Sequence, residues 1–339
     1  MTSIKKVNTM KALIVSASHE WHIADVPIPE ISKDEVLIRV SHVGLCGTDL
    51  EMLNGSHPYF QTGDANYPLR LGHEFSGTVI ESDDLNLPAG TMVVVDPVVG
   101  CQNCHACKQR STWCTNRIEI GVRNGGPGGL AEFIAVPVRN VYKIPQGLSL
   151  RDATLTEPAV TAIAGISRSQ RKSGLAVVVG QGTIGIIAAQ ILIKSGWEVL
   201  LGVSGDSGAA RVERLGFKSL SPDEMPFINA DLVIEAAGTN RAIESSFKAV
   251  RAGGEVVLLG VPDKPINNFD FADVVVRDIS IYGVLNGPGK YNEALSLIAE
   301  RVIDANKIID QVVEFANFSH AISLALNRER QLPKILISM

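Results

Sequence analysis

The stretch LAVVVGQGTIGIIAAQILI, residues 175–193, limits the available folds more than any other part of the chain. An unbroken apolar run, Leu175 to Val179, meets Gly180, Gly182 and Gly185 at G-x-G-x-x-G spacing and passes directly into apolar residues at helical spacing. Continuous apolar runs mark strands covered on both faces. Strand, glycine turn and helix together open a strand-helix-strand unit, the context in which this spacing carries weight. Gly180 then permits the tight turn, Gly182 lets a pyrophosphate approach the backbone, and Gly185 lets helix and sheet pack closely. The phosphates would rest on unpaired N–H groups at the positive end of the helix. A packing turn without a ligand is the bland alternative. The run is long enough to imitate a membrane span, but the regularly placed glycines suit the turn better.

The same grammar continues downstream. WEVLLGV, a helical SGAARVERLGF, ADLVIEAAG, a helical NRAIESSFKAVRAGG and EVVLLGV alternate strand with helix. That is the pattern of a doubly wound parallel sheet, so the expected fold class is α/β. Cofactor contacts are expected from Gly180, Gly182, Thr183, Ile184, Gly185, Ser204 and Asp206. An NAD site wants an acid at the tip of the second strand to accept from the ribose hydroxyls. Gly202, Val203 and Ser204 carry none, and Asp206 falls late enough to be a helix cap instead. Arg211 faces either a 2′-phosphate or solvent, which leaves both NAD and NADP open.

Residues 11 to about 150 read differently. KALIVSA, EVLIRVSHVG, GTVIES, TMVVVDPV and AEFIAVP are short strand-like runs separated by Gly, Pro, Asp and Ser, which suggests a barrel or sandwich. SLRDATLTEPAVTAIAGISRS has helical spacing with Ser149 as its cap, and the last fifty residues read helix, strand, helix, strand. At 339 residues, two domains are expected. The net charge of −5, from 31 basic and 36 acidic residues interspersed along the chain, excludes an electrostatic footprint for nucleic acid or a membrane surface. The N-terminal MTSIKKVNTMKALIVSASHEW has only a short apolar run, so no signal peptide is read and a cytoplasmic protein is expected.

Four of the five cysteines crowd into GCQNCHACKQRSTWC. Cys101, Cys104, Cys107 and Cys114 are spaced C-x2-C-x2-C-x6-C. Clustered thiols in a chain of this size point to metal or redox chemistry rather than a disulfide scaffold. Tetrahedral zinc, closed on all sides by thiolates, would staple a loop that has no core of its own. An iron–sulfur cluster, a redox thiol pair or metal-free cysteines are the alternatives, and His105 reads as an exposed passenger. The fifth cysteine, Cys46 in GLCGTDLE, has His73 and Glu74 in LGHEFSG and Glu157 in TEPAV downstream. A thiolate, an imidazole and a carboxylate from separate segments suit an open zinc site with a free position.

These stretches, GLCGTDL, LGHEFSGTV, CQNCHACKQRSTWC, TEPAVTA, VVVGQGTIG and VIEAAGT with VRAGGEVVLLG, run in one order over nearly the whole chain. In that order the chain resembles the medium-chain, zinc-dependent alcohol and polyol dehydrogenases, of the sorbitol and threonine dehydrogenase kind. The resemblance implies a GroES-like catalytic domain over residues 1–152 and 294–339, with a Rossmann domain at 153–293. It implies that Cys46 and His73 ligate a catalytic zinc, with Glu157 as the third protein ligand and Glu74 as an alternate ligand that exchanges with water. It further implies that Asp49 supports the ligands, that Thr48 touches the substrate oxygen, and that the protein is a homodimer or homotetramer. Two departures stand out. The gap before the fourth clustered cysteine is six residues instead of seven, and the second strand lacks its acid.

The expected function is therefore hydride transfer between a secondary alcohol, polyol or sugar and NAD or NADP, with one catalytic and one structural zinc. Glu51 stands where some family members have a relay histidine. Tyr59, Phe60 and Arg123 fall where substrate walls would lie, while His42 and His57 have no assigned partner. A zinc-free enone or quinone reductase of the same architecture would have no need for Cys46, His73 and Glu157 together. A non-catalytic NAD(P)-binding sensor is the remaining alternative, because fold does not determine function.

Overall fold

The computed structural model describes residues 9–262, 264–267, 269–327 and 330–339. Lys5 and Lys6, part of the N-terminal reading above, lie outside them. The chain forms two compact units: Met1–Thr154 with Val312–Leu326 and Ile335–Met339, and Leu155–Gln311 with Asn327–Lys334.

In the first unit the alternating apolar runs become antiparallel strands. The central pair is β1 (Glu35–Gly44) and β2 (Glu74–Ser82), registered so that Gly44 faces Glu74 and Val43 faces Phe75. Among the described residues their sheet has seven strands, with Phe133–Pro137 and Lys334–Ser338 also pairing on β1 and Met92–Val95 continuing from β2. Val36, Ile38, Val79, Val93 and Ile134 are fully buried and form the centre of its core. Between β1 and β2 the chain leaves the sheet for two short helices, α1 (Gly47–Asn54) and α2 (Pro58–Thr62). This excursion carries the residues that matter most below.

The second unit begins with α3 (Thr156–Ile166) and continues through β3 (Leu175–Val179), α4 (Thr183–Lys194), β4 (Glu198–Gly202), α5 (Asp206–Arg214), β5 (Lys218–Leu220), β6 (Ala230–Glu235), α6 (Asn240–Ala249), β7 (Val250–Leu258), α7 (Phe271–Val276) and β8 (Ser280–Gly283). Among the described residues its sheet has six strands in the order β5-β4-β3-β6-β7-β8, every neighbouring pair parallel. The order reverses at β3, the switch point beside which open α/β sheets bind their ligands. Ala176, Val177 and Val178 are wholly buried, as a strand covered on both faces must be.

Two expectations change in detail. The segment after Ser149 is two helices rather than one: a four-residue turn, Leu150–Ala153, and then α3. Ser149 does cap the first, its Oγ accepting from the Asp152 N–H at 3.1 Å. The Thr154 hydroxyl donates back to the Leu150 carbonyl at 2.9 Å, and the two units divide directly after Thr154. The tempting run at 175–193 is split between β3 and α4, and no helix among the described residues is long and apolar enough to cross a membrane.

Candidate active site and metal centres

Cys46 ends the loop from β1 and is the N-cap of α1, with extended backbone at φ −103° and ψ 162°. Its N–H donates to Asp49 Oδ2 at 2.9 Å, while its side chain accepts from the Asp49 backbone, a reciprocal capping box. The other oxygen of Asp49 accepts from the Gly72 N–H at 3.3 Å and lies 3.4 Å from His73 Nδ1. One wholly buried carboxylate thus fixes the backbone at Cys46 and the backbone before His73, and stands beside the His73 ring. With Asp49 beside Nδ1, Nε2 is the ring nitrogen left for an ion, the usual arrangement behind a metal-bound histidine.

Glu74 begins β2 and is buried to 1 % exposure. Its partner in register is Gly44, where any Cβ would collide with the Glu74 carboxylate. One ligand atom each from Cys46, His73 and Glu74 lies within 4.8 Å of the other two. Burial alone would lower the His73 pKa, yet the Asp49 carboxylate and the Cys46 thiol raise it well above the ordinary imidazole value. The pocket therefore favours positive charge. A soft sulfur, a nitrogen and an oxygen donor converging in a buried, cation-seeking site fit zinc.

The four clustered cysteines meet as closely, their sulfurs within 4.8 Å of one another. Two single turns, Ala106–Lys108 and Ser111–Trp113, fold the loop, and the second carries the buried Cys114 inward across the shortened gap. Backbone N–H groups of Asn103 and Cys104, with the Cys114 thiol, lower the Cys101 pKa to about 6. Desolvation and hydrogen bonds to neighbouring sulfurs push Cys107 up to about 12. One thiolate forms readily and then opposes the next, a conflict that a divalent ion removes. His105 is exposed and stands outside the cluster.

In the second unit each glycine of the turn has its own reason. Gly180 has φ +119° and no room for a Cβ, which would sit 2.9 Å from the Ala236 carbonyl carbon. Gly182 faces open space, and a Cβ on Gly185 would collide with the Gly180 carbonyl. Gly182 caps α4 without a side-chain hydrogen bond, so the cap residue itself leaves the first N–H groups of the helix uncovered. Thr183 and Ile184 are half-buried in that first turn, and Ser204 and Asp206 are exposed just beyond β4. Asp206 does not cap α5; Gly205 does, at φ +76°.

Comparison with known proteins agrees with this geometry. The family model for the alcohol dehydrogenase GroES-like domain matches residues 32–146, and that for zinc-binding dehydrogenases matches residues 183–300. L-galactonate-5-dehydrogenase of Escherichia coli is 31% identical, over 98% of this chain and 100% of that enzyme. The chain belongs to the zinc-containing medium-chain dehydrogenases. Sorbitol dehydrogenase of Bacillus subtilis is 27% identical, over 97% of both chains. Among solved structures, a zinc-binding dehydrogenase from Sinorhizobium meliloti bound to NADP superposes with a TM-score of 0.88 at 26% identity, covering 98% of this chain and 99% of that one. This dehydrogenase binds zinc and uses NAD(P), and its β-rich and parallel-sheet units are GroES-like and Rossmann-like.

The remaining expected residues of the dehydrogenase are distributed as follows. Thr48 is half-buried in the first turn of α1. Glu157 belongs to the second unit, on the first turn of α3, where its Oε1 accepts from Asn286 Nδ2 at 2.9 Å. His42 lies on β1 with Nδ1 3.0 Å from the Ser41 hydroxyl, and burial lowers its pKa. Phe60 packs on Tyr67. Arg123 is buried against Asp64 at 2.7 Å and stacks over the Tyr59 ring. The sequence reading missed Glu235, wholly buried at the end of β6, where Oε1 accepts from the Ala237 and Gly238 N–H groups at 2.8 Å each. Burial raises its pKa. A carboxylate closing an apolar strand just before a glycine turn was the available signal.

Proposed function

We propose that this dehydrogenase transfers hydride between a secondary alcohol of a polyol, sugar or sugar acid and NAD or NADP. The observation that carries the reading is the convergence of Cys46, His73 and Glu74. A zinc-free reductase has no use for three such donors in one buried pocket. The two relatives above act, by name, on a sugar acid and a sugar alcohol, which supports the substrate class.

Cys46, His73 and Glu74 would hold the zinc, with Glu157 kept as a further proposed ligand. Bound there, zinc would supply Lewis acidity toward a substrate oxygen, and a bound dinucleotide would supply the hydride chemistry. The chain's own residues do the rest. Asp49 holds the backbone at Cys46 and before His73 and sets its charge beside the His73 ring. The Thr48 hydroxyl would take the alcohol proton at Oγ1, and Glu51, one helical turn on, would receive it. The open first turn of α4 would bind the pyrophosphate. Free cysteines throughout suit the expected cytoplasmic setting.

A homo-oligomer completes the reading. β8 is an edge strand with Ile281 exposed, and beside it in sequence Phe271, Val275 and Val276 of α7 are 67%, 78% and 83% exposed. Exposed apolar side chains on an edge strand and on the helix that precedes it suit a second copy of the chain. The test of function is a panel of secondary alcohols, polyols and sugar acids with each dinucleotide, read by the absorbance of reduced nicotinamide. Turnover of a polyol or sugar acid, lost in Cys46→Ser, supports the proposal; dinucleotide binding without turnover of any alcohol refutes it.

A further inference from the structure

Glu235 ends β6 in register with Val179, the last residue before the glycine turn, and with Leu258 at the end of β7. It is wholly buried. Burial pushes its pKa up, and the backbone N–H groups of Ala237, Gly238 and Gly260 oppose that rise. Oε1 accepts from the Ala237 and Gly238 N–H groups at 2.8 Å each, while Oε2 has no hydrogen-bond partner among the described residues. A carboxylate inside a sheet, held by backbone alone, is costly, and an apolar side chain would continue β6 without that cost. What the carboxylate adds is the shape of the turn that follows it.

That turn is built against the glycine turn of β3. The Ala236 N–H donates to the Val179 carbonyl at 2.9 Å. A Cβ on Gly180 would lie 2.9 Å from both the Ala236 carbonyl carbon and the Ala237 nitrogen. Gly180 therefore rests on the peptide bond between Ala236 and Ala237, and Glu235 holds that peptide by its N–H. On the other side, a Cβ on Gly260 would collide with the Gly238 nitrogen and lie 2.7 Å from Glu235 Oε2. Gly260 follows β7, and its N–H donates to the Glu235 carbonyl at 3.3 Å. The turns after β3, β6 and β7 thus meet at the carboxyl ends of the strands, with Ala237 exposed among them. Open α/β sheets hold their ligands at these ends, beside the strand where the order reverses.

We propose that Glu235 is a positioning residue for the dinucleotide, its Oε1 fixing the Ala236–Ala237 peptide and, through it, the backbone of Gly180. Backbone N–H groups bind a pyrophosphate only while they keep their direction, and a peptide that rotated here would enter the space Gly180 leaves. The inference rests on the dinucleotide seat proposed above and adds the residue that keeps its shape.

The experiment titrates NADH and NADPH into the wild-type holoenzyme, Glu235→Leu, Glu235→Gln and Glu255→Gln, read by nicotinamide fluorescence, with Tm recorded for each. Glu255 is a second buried carboxylate, further back on β7 opposite Leu232, and accepts from the Gln170 N–H at 3.2 Å. Glu235→Leu should raise the dissociation constant of the preferred dinucleotide by roughly tenfold or more, because two N–H groups lose their acceptor. Glu235→Gln, whose neutral oxygen accepts more weakly than a carboxylate, should fall between Glu235→Leu and the wild type. Glu255→Gln should lower Tm and leave the dissociation constant where the wild type has it. An unchanged constant in Glu235→Leu, or an equal loss of affinity in Glu255→Gln, overturns the proposal. Should Glu235→Leu not fold, Glu235→Gln decides, and affinity equal to the wild type overturns the proposal. A wild type that binds neither dinucleotide refutes the seat and this proposal with it; binding that survives in Glu235→Leu removes this proposal alone.

Discussion

Asp49 does more for the proposed site than its lack of any ligand role suggests. Its two oxygens tie Cys46, Gly72 and His73 together from a wholly buried position. Asp49→Asn keeps the size and loses the charge, so zinc affinity at this site should fall by about 10- to 100-fold, measured by chelator competition, with the four-cysteine site as internal reference. The His73 shift makes a second prediction. In metal-free protein its pKa lies above the unfolded value of 6.5. Its contribution to stability is thus complete below about pH 6.5 and is lost as pH rises through the folded pKa. Metal-free protein should lose Tm over that rise while zinc affinity grows, because the ligand must shed its proton. Cys46, His73 and Glu74 were legible in sequence as candidate donors, but the carboxylate that groups with the thiol and the imidazole was not, since Glu157 was expected first and Glu74 as its alternate. The cluster at Tyr59 was not, because Tyr59, Arg117 and Glu119 are brought together across 58 to 60 positions by hydrogen bonds that no local pattern announces.

At the scale of elements, periodicity served well where burial alone sets it. The all-buried β3 and the glycine turn after it were readable because a parallel strand covered on both faces has no polar alternation to confuse. The helix after Ser149 was read too long, since apolar spacing runs through Thr154 although its hydroxyl ends the first turn. Of the two roles open to Asp206, cofactor contact and helix cap, the second falls away, because Gly205 at positive φ caps that helix. Register carries the clearest test here. β1 and β2 bring Gly44 against Glu74, and Gly44→Ala would drive a methyl group into that carboxylate. Overpacking should cost about 1–3 kcal/mol in urea unfolding and weaken zinc at Cys46 and His73. Gly47→Ala, with nothing within 4 Å of the added carbon, should do neither.

For the molecule as a whole, the two kinds of local grammar correspond to two kinds of unit, antiparallel and parallel, and the interface proposed between copies lies at the edge strand β8. Val276→Glu should shift sedimentation velocity from an oligomer to a monomer while leaving the far-ultraviolet circular dichroism intact; an unchanged sedimentation coefficient would place the interface elsewhere. The central claim is that Cys46, His73 and Glu74 form a zinc site distinct from the four-cysteine one. Its most direct test is the zinc content per chain, measured by mass spectrometry on wild type and Cys46→Ser. Two ions falling to one are predicted, matching the two clusters of donors. Two ions in both proteins would contradict it.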